Sequence, residues 1–85
     1  MITDELQKEL EDAYYDVTWK MQKLVVFLSF FPKPLNPKTD PPQVVAEQEK
    51  VIREFYEASD RFEKVFKRYA LAYKLEQRNA YYEQR

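Results

Sequence analysis

Apolar side chains recur along two stretches of this chain at alternating spacings of three and four. In the first, Tyr14, Met21 and Leu28 alternate with Leu10, Val17, Leu24 and Phe31. In the second, Val45, Ile52, Ser59, Phe66 and Tyr73 alternate with Gln48, Phe55, Phe62 and Tyr69, and Val44, Val51, Ala58, Val65 and Ala72 widen the stripe by one row. A seven-residue apolar rhythm held over several turns marks long packed helices. Between the stretches, Pro32, Pro34, Pro37, Pro41 and Pro42 crowd together. Each removes an amide donor and disfavours helix in the residue before it. The pattern predicts one domain, 1–85, with a helix over about 4–31, a Pro-rich loop 32–41 and a helix over about 42–83.

Start signals agree with these limits. Asp4 with Gln7 can form a capping box, and Glu5 favours a first turn. Asp40 is a good cap with Thr39 competing, Pro41 suits the first helical position, and Gln43 falls where the box residue belongs. The fold class is therefore all-α, an antiparallel helical hairpin of unequal helices, about 42 Å and about 60 Å long. Folding back at the loop sets Phe31 near Pro42 and ends the first helix opposite Ala70, so that 71–85 overhang.

The first helix has more apolar surface than one neighbour can hide. Tyr15, Trp19, Val26 and Phe30 form a second stripe, and from Leu24 to Phe31 only Ser29 is polar. A helix that is apolar nearly all round belongs inside something. Leaving four large side chains exposed forgoes several kcal/mol, at about 1.5–3 kcal/mol each. The expected interface is Tyr15, Trp19, Val26, Phe27 and Phe30, with Trp19 as its anchor. Two hairpins docked by such faces make a homodimeric four-helix bundle, and a second protein partner could fill the same face.

Composition narrows the chemistry. Among 85 residues there is no glycine, cysteine or histidine. That excludes thiol nucleophiles, zinc fingers, imidazole acid–base chemistry and the Gly-rich loops that cradle phosphates. A net charge of −1 gives no general pull toward nucleic acid or anionic membrane. The run Leu24–Phe31 falls far short of the ~20 residues of a membrane span and follows an acidic segment, unlike a secretory leader. The expectation is a cytoplasmic protein with no membrane span.

Four groups of residues invite a functional reading. Glu5, Glu9, Asp12 and Asp16 follow one helical face, but without histidine the di-iron pattern is absent, and no metal or other cofactor is expected. Tyr69 and Tyr73, at heptad positions, read as packing rather than ligand-binding hydroxyls. Arg61, Lys64, Lys67, Arg68, Lys74, Arg78 and Arg85 lie away from the stripe, and Lys64, Lys67, Arg68, Lys74 and Arg78 are candidate contacts to an acidic partner or a phosphate backbone. Pro34-Leu35-Asn36-Pro37 has the spacing of a proline-rich ligand but reads as a rigid connector. The sequence points to a non-catalytic protein–protein interaction module (adaptor, assembly factor, inhibitor or small subunit), with a small nucleic-acid-binding protein as the alternative.

Overall fold

The computed structural model describes residues 2–83. Arg85, counted above with the basic residues, lies outside them. The described chain is all-helical: α1, Asp4–Phe30, and α2, Pro42–Glu83, folded into a hairpin with extents of 68 × 20 × 17 Å.

Local chemistry sets the helix ends. Thr3, rather than Asp4, caps α1. Its extended backbone leads in and its hydroxyl accepts the Leu6 N–H at 3.0 Å, which leaves Asp4 and Glu5 inside the first turn where the helix dipole favours acids. At the other end Phe31 leaves helical geometry, with φ −129° and ψ 73°, because Pro32 follows it. Asp40 does not cap α2 either. Its carboxylate accepts the Asn36 N–H at 2.5 Å, while the Asn36 side chain accepts the Lys38 N–H at 2.9 Å. The Pro41 carbonyl instead receives the first α2 amides, from Val44 and Val45, and Pro42 stands at the first helical position. The loop thus turns by side-chain-to-backbone bonds, with no positive-φ residue among the described ones.

Packing rotates both helices relative to the stripes read from the sequence. Among the described residues the buried ones are Ala13, Val51, Ala58, Val65 and Ala72, all small. On α2 these form the row at the edge of the predicted stripe, spaced every seventh residue. On α1, Leu10, Val17, Leu24 and Phe31 are half-buried as expected, but Ala13 and Phe27 join them where the periodicity puts Tyr14, Met21 and Leu28. Small side chains on the contact line let two helices approach closely, so they hold the centre, while Val45, Ile52, Phe55, Phe62 and Tyr69 are half-buried beside it and Tyr14, Met21, Leu28, Phe66 and Tyr73 are exposed.

The register also shifts. Glu9 pairs with Arg68, Asp16 lies 4.0 Å from Arg61, and the Ile2 N–H donates to Glu76 Oε1 at 2.7 Å. Each partner lies about one helical turn further along α2 than a fold-back at Phe31 and Pro42 implies. The loop is long enough to let α2 begin beyond the end of α1. As a result Ala72 is buried and Glu76 caps the start of the chain, so the overhang begins at Gln77 rather than at residue 71.

Candidate interaction surfaces

Two helices side by side form a layer with two faces, and each cross-helix contact identifies one of them. Tyr14 meets Phe62 with ring centroids 6.3 Å apart on one side. Asp16–Arg61 and Glu9–Arg68 bridge the helices on the other. On α1, Tyr14 and Asp16 lie on opposite flanks of Ala13, which fixes the assignment.

The first face carries no charge along its middle. α1 contributes Tyr14, Met21, Val25 and Leu28, all exposed. α2 contributes Val45, Ile52, Phe55, Phe62, Phe66 and Tyr69 in succession, then Tyr73, with Gln48 and Ser59 as its polar members. Phe62 stacks on Phe66 at 5.8 Å, yet Phe66 and Tyr73 are each 49% exposed. From Val45 to Tyr73 this surface runs about 42 Å. The chain's fourteen basic and fifteen acidic side chains lie outside this run, which leaves an apolar surface of unusual length.

The second face is divided. Next to the loop, Trp19, Val26, Phe27, Phe30, Phe31 and Val51 line an apolar groove of about 370 Å³ with Lys23, Gln22 and Glu47 at its rim. Of the five residues read as an interface, Trp19, Val26, Phe27 and Phe30 line this groove, with Trp19 58% and Phe30 74% open, while Tyr15 is exposed outside it and meets Tyr14 edge-on at 5.8 Å. Phe27 is half-buried and packs on Phe31, centroids 4.9 Å apart. Further from the loop this face becomes polar. Asp16 accepts a 2.8 Å hydrogen bond from Lys20 Nζ, and that bond, aided by the Asp16, Glu54 and Glu57 charges, raises the Lys20 pKa against the effect of desolvation.

The candidate phosphate contacts are partly engaged within the chain. Lys64 pairs with Asp60 at 2.9 Å, Lys67 with Glu63 at 2.9 Å, and Arg68 with Glu9 at 2.5 Å. Arg78 lies 5.8 Å over the Tyr82 ring. Among the described residues no group of three acidic side chains is placed to hold a metal ion, and no helix is long and apolar enough to cross a membrane.

The sequence reading misses the charge-free face as a surface, since it assigns those residues to the contact between the helices. One signal could have found it. Both helices carry two adjacent apolar rows, and a two-helix contact consumes only one row from each. The chain matches no known protein family, no curated protein and no solved structure.

Proposed function

We propose that this chain is a non-catalytic protein–protein interaction module that works by self-association, two hairpins closing over their charge-free faces into a four-helix bundle. The observation that carries this is the uncharged row from Tyr14 to Leu28 beside the row from Val45 to Tyr73. Each helix of a four-helix bundle touches two neighbours and needs two apolar rows, and both helices have them. The intrachain core alone is thin. Among the described residues its buried members are two valines and three alanines, and no large side chain is completely covered.

Area supports the same reading. The hairpin exposes 7143 Å². A compact protein of this mass would expose roughly 5,400 Å², a surplus of roughly 1,700 Å². Stable interfaces bury roughly 800 Å² per partner and obligate ones more. The nucleic-acid alternative is less well supported, because Lys64, Lys67 and Arg68 already face carboxylates of their own chain. Light scattering coupled to size exclusion tests the proposal. The expected mass is about 21 kDa, twice the 10.4 kDa chain. A monomer at every concentration would overturn self-association.

A further inference from the structure

The charge-free face has a middle, and on the two helices that middle falls within one turn of the same height. On α1 the row Tyr14–Leu28 is centred on Met21, and on α2 the row Val45–Tyr73 is centred on Ser59. The pairs Asp16–Arg61 and Glu9–Arg68 put Met21 level with Tyr56, within one turn of Ser59. On α2 the face ends fourteen residues to either side of Ser59, so that row can be covered end to end by its own copy turned around. Ser59, the smallest side chain on the row, stands where the two copies would approach most closely.

We infer that the occupant of this face is a second copy running antiparallel to the first, with the two-fold axis passing beside Ser59 and Thr18. This rests on the self-association reading above. In this arrangement α1 lies on α1 and α2 on α2 of the other copy. A two-fold along the helices would instead keep the loops together and set α1 on α2.

Three observations select the antiparallel form. First, Gln77–Glu83 project past the start of α1, and Tyr81 and Tyr82 are more than half exposed. Turned around Ser59, this segment runs level with the other copy's Pro-rich loop and is covered there, whereas with loops together both projections leave the bundle at one end. Second, each helix is charged in halves. In α2, Glu47, Glu49, Glu54, Glu57 and Asp60 outnumber Lys50 and Arg53, and then Arg61, Lys64, Lys67, Arg68, Lys74 and Arg78 outnumber Glu63, Glu76 and Glu83. Reversal on itself brings opposite halves alongside within the ~10 Å reach of charges in dilute salt. Third, Glu11 and Glu63 both flank the charge-free face. With loops together, Glu11 of one copy meets Glu63 of the other twice over, while the antiparallel form separates them.

The absence of native cysteine makes cross-linking a clean test. Ser59→Cys and Thr18→Cys are small changes on the face. Under mild oxidation each variant alone should form an interchain disulfide, seen on a non-reducing gel. An equimolar mixture of the two should give no disulfide joining one variant to the other when its peptides are mapped by mass. Predominant mixed cross-links would overturn the inference in favour of loops together and leave self-association standing. A doubled mass with no cross-link of either kind would also overturn it, by moving the axis away from the centre. A monomeric mass for the unmodified chain would mean that the self-association reading itself had failed.

Discussion

The two faces of the helical layer are built from the same residue types and differ in how charge is distributed among them. One face keeps its aromatics in continuous rows and all charge at its margins. The other keeps its aromatics in a short groove beside the loop and gives the remaining length to Asp16, Lys20, Arg61, Glu9 and Arg68. A surface with ion pairs across its middle tolerates water, since exposed pairs of this kind contribute only about 0–1 kcal/mol and lose nothing by staying wet. A chargeless surface of aromatics gains only when covered. The contrast predicts that self-association depends on the first face and not on the second.

The largest effect should come from placing charge in the first face. Met21→Glu combined with Phe66→Glu puts four carboxylates into the dimer, each without a partner, and the mass in solution should fall to that of one chain. On the proposed self-association, folding and association are linked, and the unmodified protein should melt at higher temperature as its concentration rises. The double variant should melt lower and at a temperature independent of concentration. Scanning calorimetry over a hundredfold concentration range checks both, and a concentration-dependent melt in the variant would break the distinction between the faces.

A smaller effect belongs to the contact line beneath both faces. Ala58 is 4% exposed and lies between Val51 and Val65 on the buried row. Ala58→Leu should force the helices apart and cost about 1–3 kcal/mol, read as a lower denaturant midpoint. If the variant were as stable as the parent, the helices would be packed through the bulky rows and the first face would not be free.

This buried row also shows what could be read from the amino-acid order. Two helices, their prolines and their approximate ends were legible, because heptad spacing and missing amides act locally. The rotation of the helices about their own axes was not. Val45–Ile52–Ser59–Phe66–Tyr73 and Val44–Val51–Ala58–Val65–Ala72 have the same period and lie ~100° apart, so periodicity cannot choose between them. Hydrophobicity favours the bulky row, while close helix approach favours the small one, and in the structure the small one is buried. The groove at Trp19 was legible as an exposed stripe because Tyr15, Trp19, Val26 and Phe30 lie far round α1 from either candidate row. The shift of register was hidden in the loop, where Asp40 accepts the Asn36 amide and donates its own to the Asn36 carbonyl instead of starting α2.

A test on the second face sharpens the comparison from the other side. Trp19→Ala with Phe30→Asp removes the two aromatics of the groove that are 58% and 74% exposed. Because these side chains contribute little to the intrachain core, helix content by circular dichroism should be unchanged and the solution mass should remain that of a dimer. A fall to the monomer mass would mean that the groove, not the chargeless face, carries assembly.

The smallest expected effect lies in the polar part of the second face, at Lys20. Its ammonium donates to Asp16 at 2.8 Å, and that hydrogen bond is the main reason its pKa stands above the ordinary 10.5. A lysine whose folded pKa is raised binds its proton more tightly in the folded state. Its contribution is therefore complete below the unfolded value of 10.5 and is lost as pH rises through the folded value. The melting curve of the native chain alone does not isolate this loss, so a variant is compared with the parent. Lys20→Gln removes the titrating group and leaves the rest of the chain in place. The stability difference between the two proteins should be constant through neutral and mildly alkaline pH and should shrink above about pH 10.5. A difference that stayed constant to higher pH would show that the Lys20–Asp16 bond adds nothing to folding, and that the polar stretch of this face is only a solvated margin to the groove.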